Sequence, residues 1–285
     1  MTTPVTPFFF EGSNFYVKRD DLISNYYPGN KYRKLFSLIH TESSTFKNII
    51  SYGGSQSNAM IAIAYLAREK DWNFTYYLKT LPSWLKKEPV GNLKMAINLG
   101  MNIIEISHDK YKNKISTLKS SAETIVVSQG GAEKTAKEGI QKLASEIISW
   151  KIEKKISKLY VVTPSGTGTT ALYLANSLKD RATVLTTPLV GDEKYLKDQW
   201  EKLSPNHEFL PQIINTEKKY TFAKPYKEYL TIWNKLNSSG IEFDLIYAPK
   251  MWITLLDNLP KDGEILYIHS GGNSGNPTQV VRYDN

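Results

Sequence analysis

Apolar positions along this chain alternate between two spacings. Short runs rich in β-branched and aromatic residues fall at 15–17, 48–51, 74–78, 103–106, 124–127, 159–162, 183–185 and 265–268 and predict strands. Between them, apolar residues recur with helical spacing near 31–40, 58–70, 91–99, 111–120, 134–150, 168–178, 193–202, 225–238 and 250–258. Strands that alternate with helices of this length predict an α/β fold, with parallel sheets covered by helices on both faces. No repeat, low-complexity segment or long Pro/Gly linker interrupts the pattern, so two domains, if present, are intertwined rather than strung in series. Ligands in such sheets sit beyond the carboxyl ends of the strands. The loops that matter are therefore those after 51, 128, 163 and 270, and all four carry glycine.

Composition narrows the chemistry. The 285 residues are 41% hydrophobic, and no apolar run approaches the roughly 20 residues of a membrane-spanning helix. The start, Met1-Thr2-Thr3-Pro4, has no basic region followed by an apolar stretch and is not read as a signal peptide. The absence of cysteine removes disulfides, thiolate nucleophiles and Cys-bound metals, and fits a cytoplasmic protein. The four histidines, His40, His108, His207 and His269, lie far apart, and no metal-ligand spacing is found. The formal charge is +8. Its lysines are dispersed, with pairs such as Lys154-Lys155 and Lys218-Lys219 each preceded by a glutamate. Solubility or attraction of small anions explains this charge better than nucleic-acid binding, for which no module is seen.

Three segments carry candidate chemistry. Gly29-Asn30-Lys31-Tyr32-Arg33-Lys34 places a lysine at a helix start just after a Pro28-Gly29 turn. Held there and desolvated, Lys31 would lose its charge readily and act as a nucleophilic amine; the competing reading is a solvated basic helix start, since Arg33 and Lys34 follow at once. Tyr52-Gly53-Gly54-Ser55-Gln56-Ser57-Asn58 runs into an apolar helix. There Ser57 or Asn58 serves a ligand or simply caps the helix. Thr163-Pro164-Ser165-Gly166-Thr167-Gly168-Thr169-Thr170 opens another helix with small residues and hydroxyls, suited to a phosphate or to a plain cap. It is not a Walker A loop, because no lysine follows the glycines. Later, Asp244-Leu245-Ile246-Tyr247-Ala248-Pro249-Lys250-Met251-Trp252 leads into a helix, and His269-Ser270-Gly271-Gly272-Asn273 follows a strong strand.

Taken in order, these pieces resemble the pyridoxal-phosphate family of 1-aminocyclopropane-1-carboxylate (ACC) deaminase and D-cysteine desulfhydrase, of the tryptophan-synthase-β fold type. The resemblance begins at Lys18-Arg19-Asp20-Asp21-Leu22 and includes Gly29 to Leu35, Gly53 to Asn58 and Gln129-Gly130-Gly131. It continues through Gly166 to Ala171, Tyr247 to Met251 and His269 to Gly272, and so spans nearly the whole chain. It implies fold type II: two intertwined three-layer α/β domains with mainly parallel sheets. A large cofactor-binding domain would comprise 1–41 and 131–285, with a small inserted domain at 42–130. It implies pyridoxal 5′-phosphate as cofactor, a small amino-acid substrate and a homodimer.

By the same resemblance Lys31 forms the Schiff base with the cofactor. Asn58 bonds the pyridoxal 3′-oxygen, and Ser57 lies beside the substrate carboxylate or the reacting carbon. Gly166, Thr167, Gly168, Thr169 and Thr170 cradle the phosphate, and Tyr247 presents an acid/base or nucleophilic hydroxyl. Two departures follow. ACC deaminases carry a glutamate directly after this tyrosine, facing the pyridine nitrogen; here Ala248 stands there. Desulfhydrase-like relatives use a threonine in a His-Thr-Gly-Gly segment, and Ser270 takes that place. A neutral hydroxyl makes the ring a weaker electron sink than a carboxylate does. That suits loss of a β leaving group better than opening of a cyclopropane ring. A second tyrosine of the family falls at Phe222, with Tyr220 and Tyr226 as neighbours that could compensate. The expected activity is therefore α,β-elimination from a small D-amino acid, with ACC deamination as the alternative and a non-catalytic phosphate-ligand binder as a third reading.

Overall fold

The computed structural model describes residues 2–283. The chain opens with a hairpin, β1 (Val5–Phe10) and β2 (Ser13–Arg19), paired antiparallel from Val5↔Lys18 to Phe10↔Ser13. Its two-residue turn, Glu11-Gly12, has both φ values positive, the twist a tight hairpin requires. β1 is not legible from alternation, because Pro7 and three successive phenylalanines blur the period; as an edge strand it tolerates the proline. The segment expected to be one helix over 31–40 is two, α1 (Gly29–Lys34) and α2 (Phe36–Ile39), separated where Leu35 leaves helical geometry at ψ 7°.

Next come β3 (Asn48–Tyr52), α3 (Asn58–Lys70), β4 (Asn73–Lys79), α4 (Ser83–Lys87), α5 (Gly91–Asn98), β5 (Asn102–Ile106), α6 (His108–Ser116) and β6 (Thr124–Val127). Their strands form a parallel four-stranded sheet in the order β5-β4-β3-β6. The rest of the chain supplies α7 (Ala136–Glu153), β7 (Leu159–Val162), α8 (Thr169–Leu178), β8 (Thr183–Thr186), α9 (Glu193–Leu203) and β9 (Gln212–Ile213). It ends with α10 (Lys227–Asn237), α11 (Ala248–Asp257), β10 (Glu264–His269) and α12 (Asn276–Val280). These strands complete a six-stranded sheet in the order β1-β2-β10-β7-β8-β9, parallel except at the β1–β2 edge.

Successive strand residues point to opposite faces of this larger sheet. Val161 and Leu266 join a core with α7, α8 and α9, while Val162 and Tyr267 join another with α10 and α11. Both faces are thus covered, as the alternation of elements requires. A third core gathers α3, α5 and the four-stranded sheet.

α1 is fixed by buried charge rather than by apolar area. Arg33 Nη2 lies 2.9 Å from Asp20, and its Nη1 lies 2.6 Å from Glu146 of α7. Lys18 of β2 also reaches Glu146, at 2.6 Å, and donates to the Thr3 carbonyl. Asp20 in turn accepts the Thr3 hydroxyl at 2.6 Å. Lys18, Asp20 and Arg33 are each 1–2% exposed. Every charge in the set has an opposite neighbour, the condition under which burial of ions is tolerated. The solvated reading of Arg33 is therefore wrong. α7 admits α1 this closely because position 139 is glycine: a Cβ there would stand 2.0 Å from the Arg33 carbonyl oxygen.

Candidate active site

All four glycine-bearing loops open onto one cavity of about 370 Å³, in the range of small-molecule sites. Its wall takes Gly54 to Ala59 from the loop after β3, Gln129 and Gly130 from that after β6, Thr163 to Thr170 from that after β7, and Ser270 and Gly271 from that after β10. Lys31 and Lys34 of α1 stand in it as well. Two strands of each sheet thus contribute.

Lys31 is buried, and its Nζ lies 3.4 Å from the Gly130 carbonyl. Burial pushes its pKa down to about 8, so an appreciable share of the side chain is free amine near neutral pH. Sequence reasoning assigned Lys34 no role. It lies three residues on, hence on the same helix face, and that spacing is the signal that could have found it. It is buried too, with its Nζ 3.2 Å from the Gly130 carbonyl and 3.3 Å from Thr167 Oγ1. Burial first, and then the neighbouring Lys31 charge, hold it well below the ordinary lysine range. Among the described residues neither lysine has a carboxylate within ion-pair distance.

The loop after β7 is held from behind. Ser165 Oγ and Thr186 Oγ1 are 2.7 Å apart, and the Ser165 N–H donates to the Thr187 carbonyl. Gly168, at φ 73°, precedes the first turn of α8. That first turn has N–H groups without partners inside the helix, and Thr167 and Thr169 bring hydroxyls 3.0 Å from each other. Two lysines, a helix N-terminus and hydroxyls thus gather here, and among the described residues no carboxylate pairs with either lysine. A phosphate ester supplies what the set lacks, so these residues fit the phosphate of pyridoxal phosphate. The glycine at 168 is required twice over. Its φ is positive, and a Cβ would stand 2.4 Å from Trp200 Nε1, which already donates to the Gly168 carbonyl at 3.0 Å. Gly168→Ala is expected to cost about 2–4 kcal/mol in urea unfolding and to weaken phosphate-dependent ligand binding; unchanged values would contradict this geometry.

Ser57 stands at the N-terminus of α3. Its Oγ accepts the N–H groups of Ala59 at 3.1 Å and Met60 at 3.3 Å, capping α3, and the residue also lines the cavity. Asn58 begins α3 beside it, also on the cavity wall. Tyr247 stands across the site, close to Gly166. Burial, reinforced by the Asp244 charge, pushes its phenol up to about 12, so the hydroxyl is protonated at neutral pH. Asp244 is the only carboxylate among the lining residues, and its Oδ1 accepts the Ile246 and Tyr247 N–H groups. Phe222 lines the cavity with its ring centroid 5.9 Å from that of Tyr247. Tyr220 and Tyr226 do not compensate for it: they pack on each other at 5.0 Å, away from the cavity wall. Ala248 is buried in the core and offers nothing to the cavity, whereas Ser270 lines it. The Ser270 carbonyl accepts the Gly29 N–H at 2.7 Å, tying this loop to the start of α1. No group of three or more His, Asp or Glu residues placed to hold a metal occurs among the described residues.

A family model described as "Pyridoxal-phosphate dependent enzyme" matches residues 2–204. A protein of Thermotoga maritima named putative 1-aminocyclopropane-1-carboxylate deaminase is 27% identical over 289 residues, covering 92% of this chain and 89% of that one. A mitochondrial protein of Arabidopsis thaliana named bifunctional D-cysteine desulfhydrase/1-aminocyclopropane-1-carboxylate deaminase is 25% identical over 291 residues, covering 92% and 73%. A crystal structure titled as that of an ACC deaminase homologue superposes with a TM-score of 0.79 at 21% identity, covering 99% of this chain and 94% of that one.

Proposed function

This chain belongs to the family of pyridoxal-phosphate dependent enzymes, with pyridoxal 5′-phosphate as cofactor, and on that premise we propose that it catalyses α,β-elimination on a small amino acid, as a D-cysteine desulfhydrase does. With D-cysteine and water the products are pyruvate, hydrogen sulfide and ammonia. The observation that carries this reading is the convergence, in one cavity, of the buried amine of Lys31, the Lys34 and threonine cradle, and the hydroxyl of Tyr247. Bound to a lysine amine, pyridoxal phosphate supplies an electron sink that allows bonds at the α-carbon of an amino acid to break heterolytically.

The protein's residues divide the remaining work. Gly166, Thr167, Gly168, Thr169 and Thr170 hold the phosphate, with Lys34 as its counter-charge. Asn58 would donate to the ring 3′-oxygen, and Ser270 would face the pyridine nitrogen; both line the cavity. The N-terminus of α3, with Ser57, receives the substrate carboxylate. Lys31 would hold the cofactor through its Nζ and, as free amine, would accept the substrate α-proton there, a role for which a pKa of about 8 is suitable. The protonated Tyr247 hydroxyl hands a proton to the departing group. Elimination is favoured over ring opening because position 248 offers no carboxylate and Asp244 is engaged by backbone N–H groups. The same proposal takes residues 1–41 with 131–285 as a large domain and 42–130 as a small one, each with its own sheet. It also takes the protein as a cytoplasmic homodimer, which gel filtration with light scattering would test.

The purified protein, loaded with pyridoxal phosphate, is assayed in parallel for pyruvate from D-cysteine and for 2-oxobutanoate from ACC. Pyruvate is expected, with ACC turnover lower by about a hundredfold or more, the scale of a few kcal/mol of lost transition-state stabilisation. Comparable rates would make ACC deamination the better reading. A protein that takes up the cofactor but turns over no amino acid would favour the non-catalytic one, which Ala248 and Phe222 motivate.

A further inference from the structure

We propose that Asn92, on the first turn of α5 and outside the cavity lining, is a positioning residue that sets the orientation of the Asn58 amide. The inference rests on the functional reading above, in which Asn58 faces the cofactor.

Asn92 is 0% exposed, and every polar group it brings is used. Its backbone N–H donates to Gln56 Oε1 at 3.0 Å. Its Nδ2 donates to the Gln56 carbonyl at 3.1 Å and to Asn58 Oδ1 at 2.9 Å. Its Oδ1 accepts the Ser274 hydroxyl at 2.9 Å. One side chain therefore joins α5 of the smaller sheet unit, the loop after β3 and the segment after β10.

The chemistry of these partners permits one arrangement. A peptide carbonyl only accepts, so the Asn92 atom facing the Gln56 oxygen must be the nitrogen. That same nitrogen also faces Asn58, so the Asn58 atom there must be an oxygen. The Asn58 Nδ2 is then turned the other way. It makes no hydrogen bond to protein among the described residues, and Asn58 lines the cavity. Asn58 therefore keeps a donor, beside Gly272, free for the proposed ring oxygen, and the alternative flip, which would offer an acceptor, is excluded. Two glycines leave room for the arrangement. A Cβ on Gly91 would stand 2.5 Å from Gln56 Oε1, and one on Gly272 would stand 2.6 Å from Asn58 Nδ2.

The test is a double-mutant cycle on N92A and N58A, read by titrating cofactor-free protein with pyridoxal phosphate and following the visible band and the pH midpoint of that band. If Asn92 acts through Asn58, N92A weakens cofactor binding by about tenfold and displaces the midpoint. The double variant is then no weaker than N58A alone to within about twofold. Should N92A not fold, Asn92→Asp serves in its place: it sets an oxygen against two acceptors, and the same non-additivity is expected. Effects of the two single variants that simply multiply, or an N92A band and midpoint identical to wild type, overturn the role of Asn92 alone. A wild-type protein that gains no band with the cofactor overturns the functional reading itself, and the role of Asn92 with it.

Discussion

Lys31→Met is expected to leave a protein that stays colourless with added pyridoxal phosphate and turns over amino acids at least about a thousandfold more slowly than wild type. Lys31 Nζ makes one long hydrogen bond, 3.4 Å to the Gly130 carbonyl, whereas Lys34 Nζ bonds both that carbonyl and Thr167 Oγ1. The same substitution is expected to stabilise the cofactor-free protein. Lys31 has a pKa of about 8 in the folded chain against 10.5 as the ordinary value. Between those values the unfolded chain binds the extra proton, so stability gained from this group increases as pH rises from about 8 to about 10.5. Below pH 8 the buried ammonium costs up to about 3 kcal/mol, and Met removes that cost. Urea unfolding of the two cofactor-free proteins at pH 7 and pH 10 measures both statements. A Lys31→Met protein less stable than wild type at pH 7, or one that still develops the visible band, would show that this lysine does not hold the position assigned to it.

The second large effect concerns Arg33. Arg33→Met is expected to destabilise the protein by about 3–5 kcal/mol, the cost of leaving buried carboxylates without their partner. Asp20 would lose both guanidinium contacts, and Glu146 would keep Lys18 and a 3.4 Å bond from the Thr3 N–H. Burial works against charge on Glu146, but the bonds from Arg33 and Lys18 outweigh it and hold the carboxyl below its ordinary range. A depressed acid stabilises the fold above its unfolded pKa, near 4.3, and that contribution fades as pH falls below it. Wild type is therefore expected to lose stability below about pH 4, and Arg33→Met to show a weaker acid dependence from a lower starting point. Because Arg33 shares α1 with Lys31 and Lys34, cofactor affinity is expected to fall with it. Chemical denaturation across pH 3–7 reads the first effect, and cofactor titration reads the second. A stability loss under 1 kcal/mol would mean that the network holds nothing in place.

The strands were legible where alternation was clean, and β3, α3 and β10 lie within a residue or two of their expected bounds. The order of motifs placed the four loops on one cavity, since parallel strands bring their carboxyl ends to the same side. What was hidden depended on distant partners. Arg33 and Lys34 read as a solvated pair because nothing local reveals that Glu146, 113 residues away, neutralises one and that the cavity receives the other. Nothing singled out Asn92 within the helix expected near 91–99, since its value lies in bonds to residues 34 to 182 positions away. β9 was missed for a simpler reason: two residues are too few to show any period.

The strand order of the larger sheet has a consequence for synthesis. β10 lies between β2 and β7, with Leu266 opposite both Tyr16 and Val161. Until residues 264–269 have left the ribosome, the N-terminal hairpin has no neighbour and β7 presents a bare apolar edge, whereas the strands of 48–127 are already complete. The smaller half can thus organise on the nascent chain, while the larger one waits for residues 264–269. A product stalled before residue 264 would carry open strand edges and aggregate, and vitamin uptake would report that β10 has joined its neighbours.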